Sequence, residues 1–347
     1  MDKREKFIDI ARGISILLMI IGHNIEKGIL RDFIYSFHMP LFIIVSGMFY
    51  KDKTFKKILK DTIIKLFLPY MLCLFIVDYI YFSKQISFFN IITKWLEQTI
   101  YSISYIDKIK YSDVLLTGVL WFIPFLITIK LIFCIIKKLF KNNKLHEYIA
   151  CCFLTIIGIG LGAFGYYLPF SLDVAFACMF FYWIGYMLYS TKGIEKIFKD
   201  NFLLFIMVCI WVLGIATETI EIATRSYQSI FSYLAAVCGS LIILKFSKFF
   251  ESKKIYTNNF LAWCGKNSLY ILLIHYIENT LLRFEVLKIR FDNIYIEIFF
   301  RILIDIIGAY VVVQLYKLVR KIHLMIIRKK YKVKEKEIEK VSCNWWK

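Results

Sequence analysis

The sequence holds no polar stretch long enough to house a soluble domain, because apolar runs of about 17–25 residues recur along almost its whole length. Runs of that length cross a bilayer core of about 30 Å as helices. The chain is poor in acidic residues: 26 Asp and Glu stand against 45 Lys and Arg, a formal net charge of +19. In a soluble chain that excess would suit nucleic acid. Here the basic residues sit in short clusters between apolar runs, where orientation signals belong, so no nucleic-acid partner is expected and the charge reads as topology and contact with membrane lipids. Among nine cysteines there is no CxxC and no Cys/His metal spacing, and none lies in a segment placed on the outer side, so buried free thiols and no metal are expected. No small-residue cleavage site follows the first apolar run, which makes it an uncleaved first helix. Internal repeats and low-complexity linkers are also absent. One transmembrane domain is expected over residues 1–320, with a basic cytoplasmic tail over 321–347.

What is present is apolar: 59% of the 347 residues are hydrophobic, against roughly 45–50% in a soluble domain. The expected fold is an all-α integral membrane protein, a single bundle of about ten helices over 7–24, 34–50, 62–82, 116–138, 147–164, 171–189, 202–219, 229–247, 260–282 and 294–319. The segments between them alternate in basic content. Those holding 3, 5, 4, 3, 4 and 10 Lys/Arg fall on one side and those holding 2, 4, 0, 1 and 3 on the other, which places both termini in the cytoplasm. Lysine outnumbers arginine 36 to 9 and isoleucine is abundant, the composition of a bacterial chain from an AT-rich genome and so of a plasma-membrane protein. The longest outer segment, 83–115, mixes aromatic and polar residues, as in a helix lying on the membrane surface or an aromatic rim around an acceptor. Pro40 and Pro124 are expected to leave carbonyls unpaired inside spans two and four, beside a channel.

A few residues do not belong in hydrocarbon. The first run, "FIDIARGISILLMIIGHN" from Phe7 to Asn24, carries Arg12 and His23 eleven positions apart. On a helix that is about 16 Å of rise and within about 20° of three whole turns, so both share one face. His38 opens the second span from the outer side, and His275, about 22 Å along its own span, matches the depth of His23. Arg301 and Asp305 stand one turn apart, spaced for an internal ion pair. Each has a bland reading: an interfacial histidine, a structural ion pair, an Arg12 that snorkels to headgroups or pairs with Asp9. The Arg12/His23 pair on one face is the hardest to read that way, since titratable groups in a span are costly unless they face protein, water or a ligand.

These residues resemble acyltransferase family 3, membrane proteins that O-acylate surface carbohydrates. "FIDIARGISILLMIIGH" is similar to the family's opening signature and "FIYSFHMPLFIIVSGMFY" to its second; "LWFIPFL" from Leu120 and "GKNSLYILLIH" from Gly265 resemble weaker landmarks. The resemblance runs from Met1 to about Tyr316 and looks closest to the fucose 4-O-acetylase-like branch. It implies acetyl-CoA as donor from the cytoplasm, a surface polysaccharide or lipid-linked glycan as acceptor, His23 as the catalytic histidine with His38 as the second, and Arg12, with Asp9 beside it, in the donor channel. Asn24, Trp121, His275 and Arg301 are the candidates for oxyanion or substrate contact. A neutral histidine with a pKa near the working pH can take the proton of an attacking hydroxyl; an acyl-histidine intermediate is the competing route. A succinyl donor stays open, as does the oligomeric state. A transporter or flippase, or a non-catalytic sensing module, is the alternative function, although the paired repeats of many carriers are missing.

Overall fold

The computed structural model describes residues 5–104, 115–141, 143–253, 256–282, 291 and 293–343, with residues 323 and 326–343 described by backbone alone. The helices run in chain order as α1 (Lys6–Asn24), α2 (Ile29–Tyr35), α3 (His38–Met48), α4 (Phe55–Thr62), α5 (Leu68–Phe82), α6 (Phe88–Tyr101), α7 (Phe122–Leu139) and α8 (Lys144–Ala163). They continue as α9 (Leu172–Ala177), α10 (Met179–Ser190), α11 (Gly193–Lys199), α12 (Asn201–Thr217), α13 (Ile230–Ser252), α14 (Thr257–Lys266), α15 (Ser268–Leu281) and α16 (Ile294–Cys343). Among the described residues there is no strand, only an isolated bridge between Glu221 and Ser226. Among the described residues six helical segments are long and apolar enough to cross a membrane, or eight if the bent pairs α9 with α10 and α11 with α12 each count as one crossing. Exposed apolar rows such as Leu72, Ile76 and Ile80 on α5 follow the i, i+4 stripe of a helix, as expected of a surface whose solvent is lipid.

Helix α1 is the hub of the bundle, packing on α2, α3, α13, α14, α15 and α16. Its closest neighbour is α14, and two glycines permit the approach. A Cβ on Gly13 would stand 2.0 Å from the Leu261 carbonyl oxygen, and one on Gly265 would stand 1.8 Å from that of Asp9. The pair α3 and α10 repeats the device through Gly47 and Gly185. Small residues at such crossings bring backbones together where lipid offers no hydrophobic drive. The close α1/α14 crossing sets Arg12 beside the start of α15.

The four prolines all sit at helix breaks. Pro40 and Pro124 lie in the first turns of α3 and α7, where a missing amide hydrogen has no intrahelical partner to lose. This corrects the expectation that they interrupt spans. The chain instead breaks before them, at Ser36–Phe37 and at the 3₁₀ turn Gly118–Trp121. A π-helical turn at Ile63–Phe67 precedes Pro69, and Pro169 opens a short 3₁₀ turn.

The segment 83–115, expected on the outer side, contains α6, which lies on α5 with Trp95 Nε1 donating to the Met71 carbonyl at 3.1 Å, while residues 105–114 are outside the described set. The eight described cysteines are free. Seven are buried or half-buried, but Cys209 is exposed on α12, a helix whose apolar residues all around face neighbours or lipid, so burial was too strong an expectation for it. Helix α16 runs through residue 320 without a break.

Candidate active site

A cavity of about 910 Å³ runs beside α1, within the range of pockets that hold small-molecule ligands. Arg12 lines it near one end, His23 lies about three turns further along, and Lys27, Arg31, Glu221 and Thr224 line the other end. The shared face inferred for Arg12 and His23 is therefore the wall of this cavity.

At the first end Arg12 is anchored twice. Its Nη2 donates to Ser268 Oγ at 2.8 Å, and its Nη1 stands 3.8 Å from Asp9 Oδ1. Asp9 is fully buried and does not line the cavity; it orients the guanidinium, a planar fork of the kind that suits phosphate or amide oxygens.

In the middle, His23, Tyr35, His38 and Trp121 line the cavity together, and Met39 and Phe42 continue the wall. The Tyr35 hydroxyl lies 3.5 Å from His23 Nδ1. When it accepts the Nδ1 proton, the Nε2 lone pair is left as a base. Arg31 stacks over the Tyr35 ring at 4.6 Å and pairs with Glu221 at 3.7 Å, so a charged mouth is linked to the histidine through one tyrosine. His38 Nδ1 is 2.8 Å from the Ile34 carbonyl. A carbonyl only accepts, so Nδ1 carries the proton, and the His38 ring packs 5.0 Å from that of Tyr35.

His275 is buried behind this wall, its ring 6.1 Å from that of His23, which fits the matched depth read from sequence. Its Nδ1 lies 2.8 Å from Asp305 Oδ2 and its Nε2 3.2 Å from Asn279 Nδ2. The expected Arg301/Asp305 pair does not form. Arg301 turns to Glu278 and to Glu297, 2.8 Å away, because α15 packs against α16 and offers Glu278 at the guanidinium while His275 claims Asp305. His275, Glu278 and Asp305 are a described trio whose ligand atoms lie within 4.8 Å of one another, close enough to surround a cation.

Two further candidates fall away from the cavity. Asn24 donates to the Ile20 carbonyl of its own helix at 2.7 Å, since one residue beyond His23 is about 100° around the helix. Arg301 does not line the cavity either; it reaches it only through Asn279, at 3.2 Å. Sequence reasoning missed Ser268, Tyr35 and Asn279, all of which line the cavity. Asn279 had a legible signal, four residues after His275 and therefore one turn along the same face.

Taken as chemistry, a cation at one end, a base in the middle and a polar mouth at the other fit a reaction in which two substrates meet from opposite ends. The family model of the acyltransferase domain matches residues 5–309. No curated protein and no solved structure matches the chain. The two opening signatures, the cavity they line and this match over most of the length agree, and the chain belongs to acyltransferase family 3, a membrane-bound family.

Proposed function

We propose that the protein is an O-acyltransferase of the bacterial plasma membrane that moves an acetyl group from cytoplasmic acetyl-CoA to a hydroxyl of a cell-surface or lipid-linked carbohydrate. The observation that carries this reading is the one cavity wall shared by Arg12, His23 and the Arg31/Glu221 mouth. With both termini cytoplasmic, Arg12 faces the donor side. The thin pantetheine arm threads past Arg12, and the thioester arrives near His23. At the other end, Arg31 and Glu221 offer a donor and an acceptor to sugar hydroxyls, and Tyr35 offers a ring face.

His23 then takes the proton of the acceptor hydroxyl as its oxygen attacks the acyl carbon, and returns that proton to the departing thiolate. Asp9 and Ser268 hold Arg12, and His38 and Tyr35 hold the wall around His23. A carrier would need the cavity to open alternately to each side with its solute unchanged. Family membership favours transfer over carriage.

The test is transfer of label from radiolabelled acetyl-CoA to glycan in membranes, comparing wild type with His23→Ala at equal expression. Label in an alkali-labile ester that depends on His23, with a loss of at least about 10²-fold in the variant, is the expected result. Label that persists in the variant would sink the role of His23. No label from wild type with acetyl or succinyl donors would sink the reading itself.

A further inference from the structure

We infer that Asn279 is the hydrogen-bond donor that holds the oxyanion of the tetrahedral intermediate, and that a buried chain through Arg301, His275 and Asp305 fixes its amide for that task. This rests on the acyl-transfer reading of the same cavity.

The amide has one permitted orientation. Arg301 carries donors only, so the Asn279 atom 3.2 Å from its Nη1 must be Oδ1. That turns Nδ2 toward His275 Nε2 at 3.2 Å, and a donor there requires a lone pair on Nε2. The imidazole proton therefore sits on Nδ1, which faces Asp305 Oδ2 at 2.8 Å, a carboxylate able to accept it. Every link agrees with the next. Arg301 is held in turn by Glu278 and by Glu297, whose Oε1 is 2.8 Å away, and the side chains of His275, Glu278 and Asp305 are fully buried.

An amide nitrogen has two hydrogens, and His275 takes one. Among the described residues none takes the second, and Asn279 lines the cavity that His23 lines. The rings of His23 and His275 lie 6.1 Å apart and are tilted by 38°, so the amide lies one ring away from the base. An N–H placed beforehand at the position where negative charge develops needs no reorganisation during the reaction, which is how oxyanion donors act. The acceptor O–H gives its proton to His23, and the C–O bond forms. The carbonyl electron pair moves onto oxygen, where Asn279 meets it. The C–S bond then breaks, and the thiolate takes the proton from His23.

The competing reading of the same cluster is a cation held by His275, Glu278 and Asp305. A metal on His275 Nδ1 needs the lone pair there and the proton on Nε2, which would aim one donor at another, the amide that Arg301 has fixed. Arg301 already supplies positive charge to Glu278.

The experiment uses the full chain in membranes with radiolabelled acetyl-CoA and the cells' own glycan, varying the acetyl-CoA concentration. Asn279→Ala and Asn279→Asp should each lower kcat by about 10²–10³-fold with the KM for acetyl-CoA within about threefold. Asn279→Asp keeps the volume and an acceptor for Arg301, so it serves if the alanine variant fails to fold. Asp305→Asn, which acts only through His275, should lower kcat with the donor KM unchanged. Asn279 variants within threefold of wild type, or a loss confined to KM, would overturn the role, as would one equivalent of tightly bound metal in the purified protein. An inert wild type would sink the acyl-transfer reading and this role together, whereas an active wild type with active Asn279 variants would sink this role alone.

Discussion

His275 Nδ1 and Asp305 Oδ2 stand 2.8 Å apart across α15 and α16, both fully buried, although Asp305 is one turn from Arg301 on its own helix. The interhelical bond prevails because α15 delivers Glu278 to Arg301 and leaves Asp305 to the imidazole. Asp305→Ala strands a buried N–H on His275, which should cost about 1–3 kcal/mol. The double variant His275→Leu/Asp305→Leu removes both polar groups and should recover much of that stability. Thermal melting in detergent checks it, and a double variant no more stable than the single one would show that the pair is not the unit.

Arg12 is anchored by Ser268 at 2.8 Å, so the two should act on the same kinetic constant. Arg12→Ala should raise the KM for acetyl-CoA by about 10–100-fold, the size of one or two hydrogen bonds to a charged group, and Ser268→Ala should raise it less. Arg12→Lys should restore little, because an ammonium lacks the fork that grips two oxygens. Initial rates across acetyl-CoA concentration decide it, and an unchanged KM in Arg12→Ala would remove Arg12 from the donor path.

How far the sequence revealed this site depends on whether each contact lies within one helix or between two. Arg12 and His23 were legible because a single helical period puts them on one face. Their depth relative to His38 and His275 followed from counting rise along each span. Asn24 was misread because adjacency in sequence is about 100° of rotation on a helix, which turns it back to the Ile20 carbonyl. The partners of Arg301 were misread for the opposite reason: spacing along α16 favoured Asp305, and nothing in a single helix reports the register of its neighbour. The breaks before Pro40 and Pro124 depend on where each helix starts, and a run of apolar residues does not mark that.

The close crossing of α1 and α14 makes a second mechanical prediction. Gly13→Leu or Gly265→Leu must push the helices apart, since the first added carbon already overlaps a backbone oxygen, at 2.0 and 1.8 Å. A loss of about 1–3 kcal/mol or more is expected, accompanied by a higher KM for acetyl-CoA as the Arg12–Ser268 link stretches. Gly160→Ala on α8 is the control. Nothing lies within 4 Å of its added carbon, and alanine favours the helix by about 1 kcal/mol. Equal melting temperatures for the Gly13 variant and the control would mean that the crossing is looser than this packing.

Where α7 meets α8, Lys137 and Glu147 form a buried pair at 2.8 Å, with the Tyr186 hydroxyl accepting from the same ammonium at 2.8 Å. Removing one partner leaves the other charge in a dry interior, which typically costs about 3–5 kcal/mol, whereas replacing both with apolar groups of similar volume is often neutral. Lys137→Met alone should therefore lower the melting temperature strongly, and Lys137→Met/Glu147→Leu should return toward wild type. The pair lies away from the cavity residues, so acyl transfer per folded molecule should be unchanged in the double variant. If the double variant melts as low as the single one, the pair stabilises the helix contact directly, and its charges are not simply a matched cost.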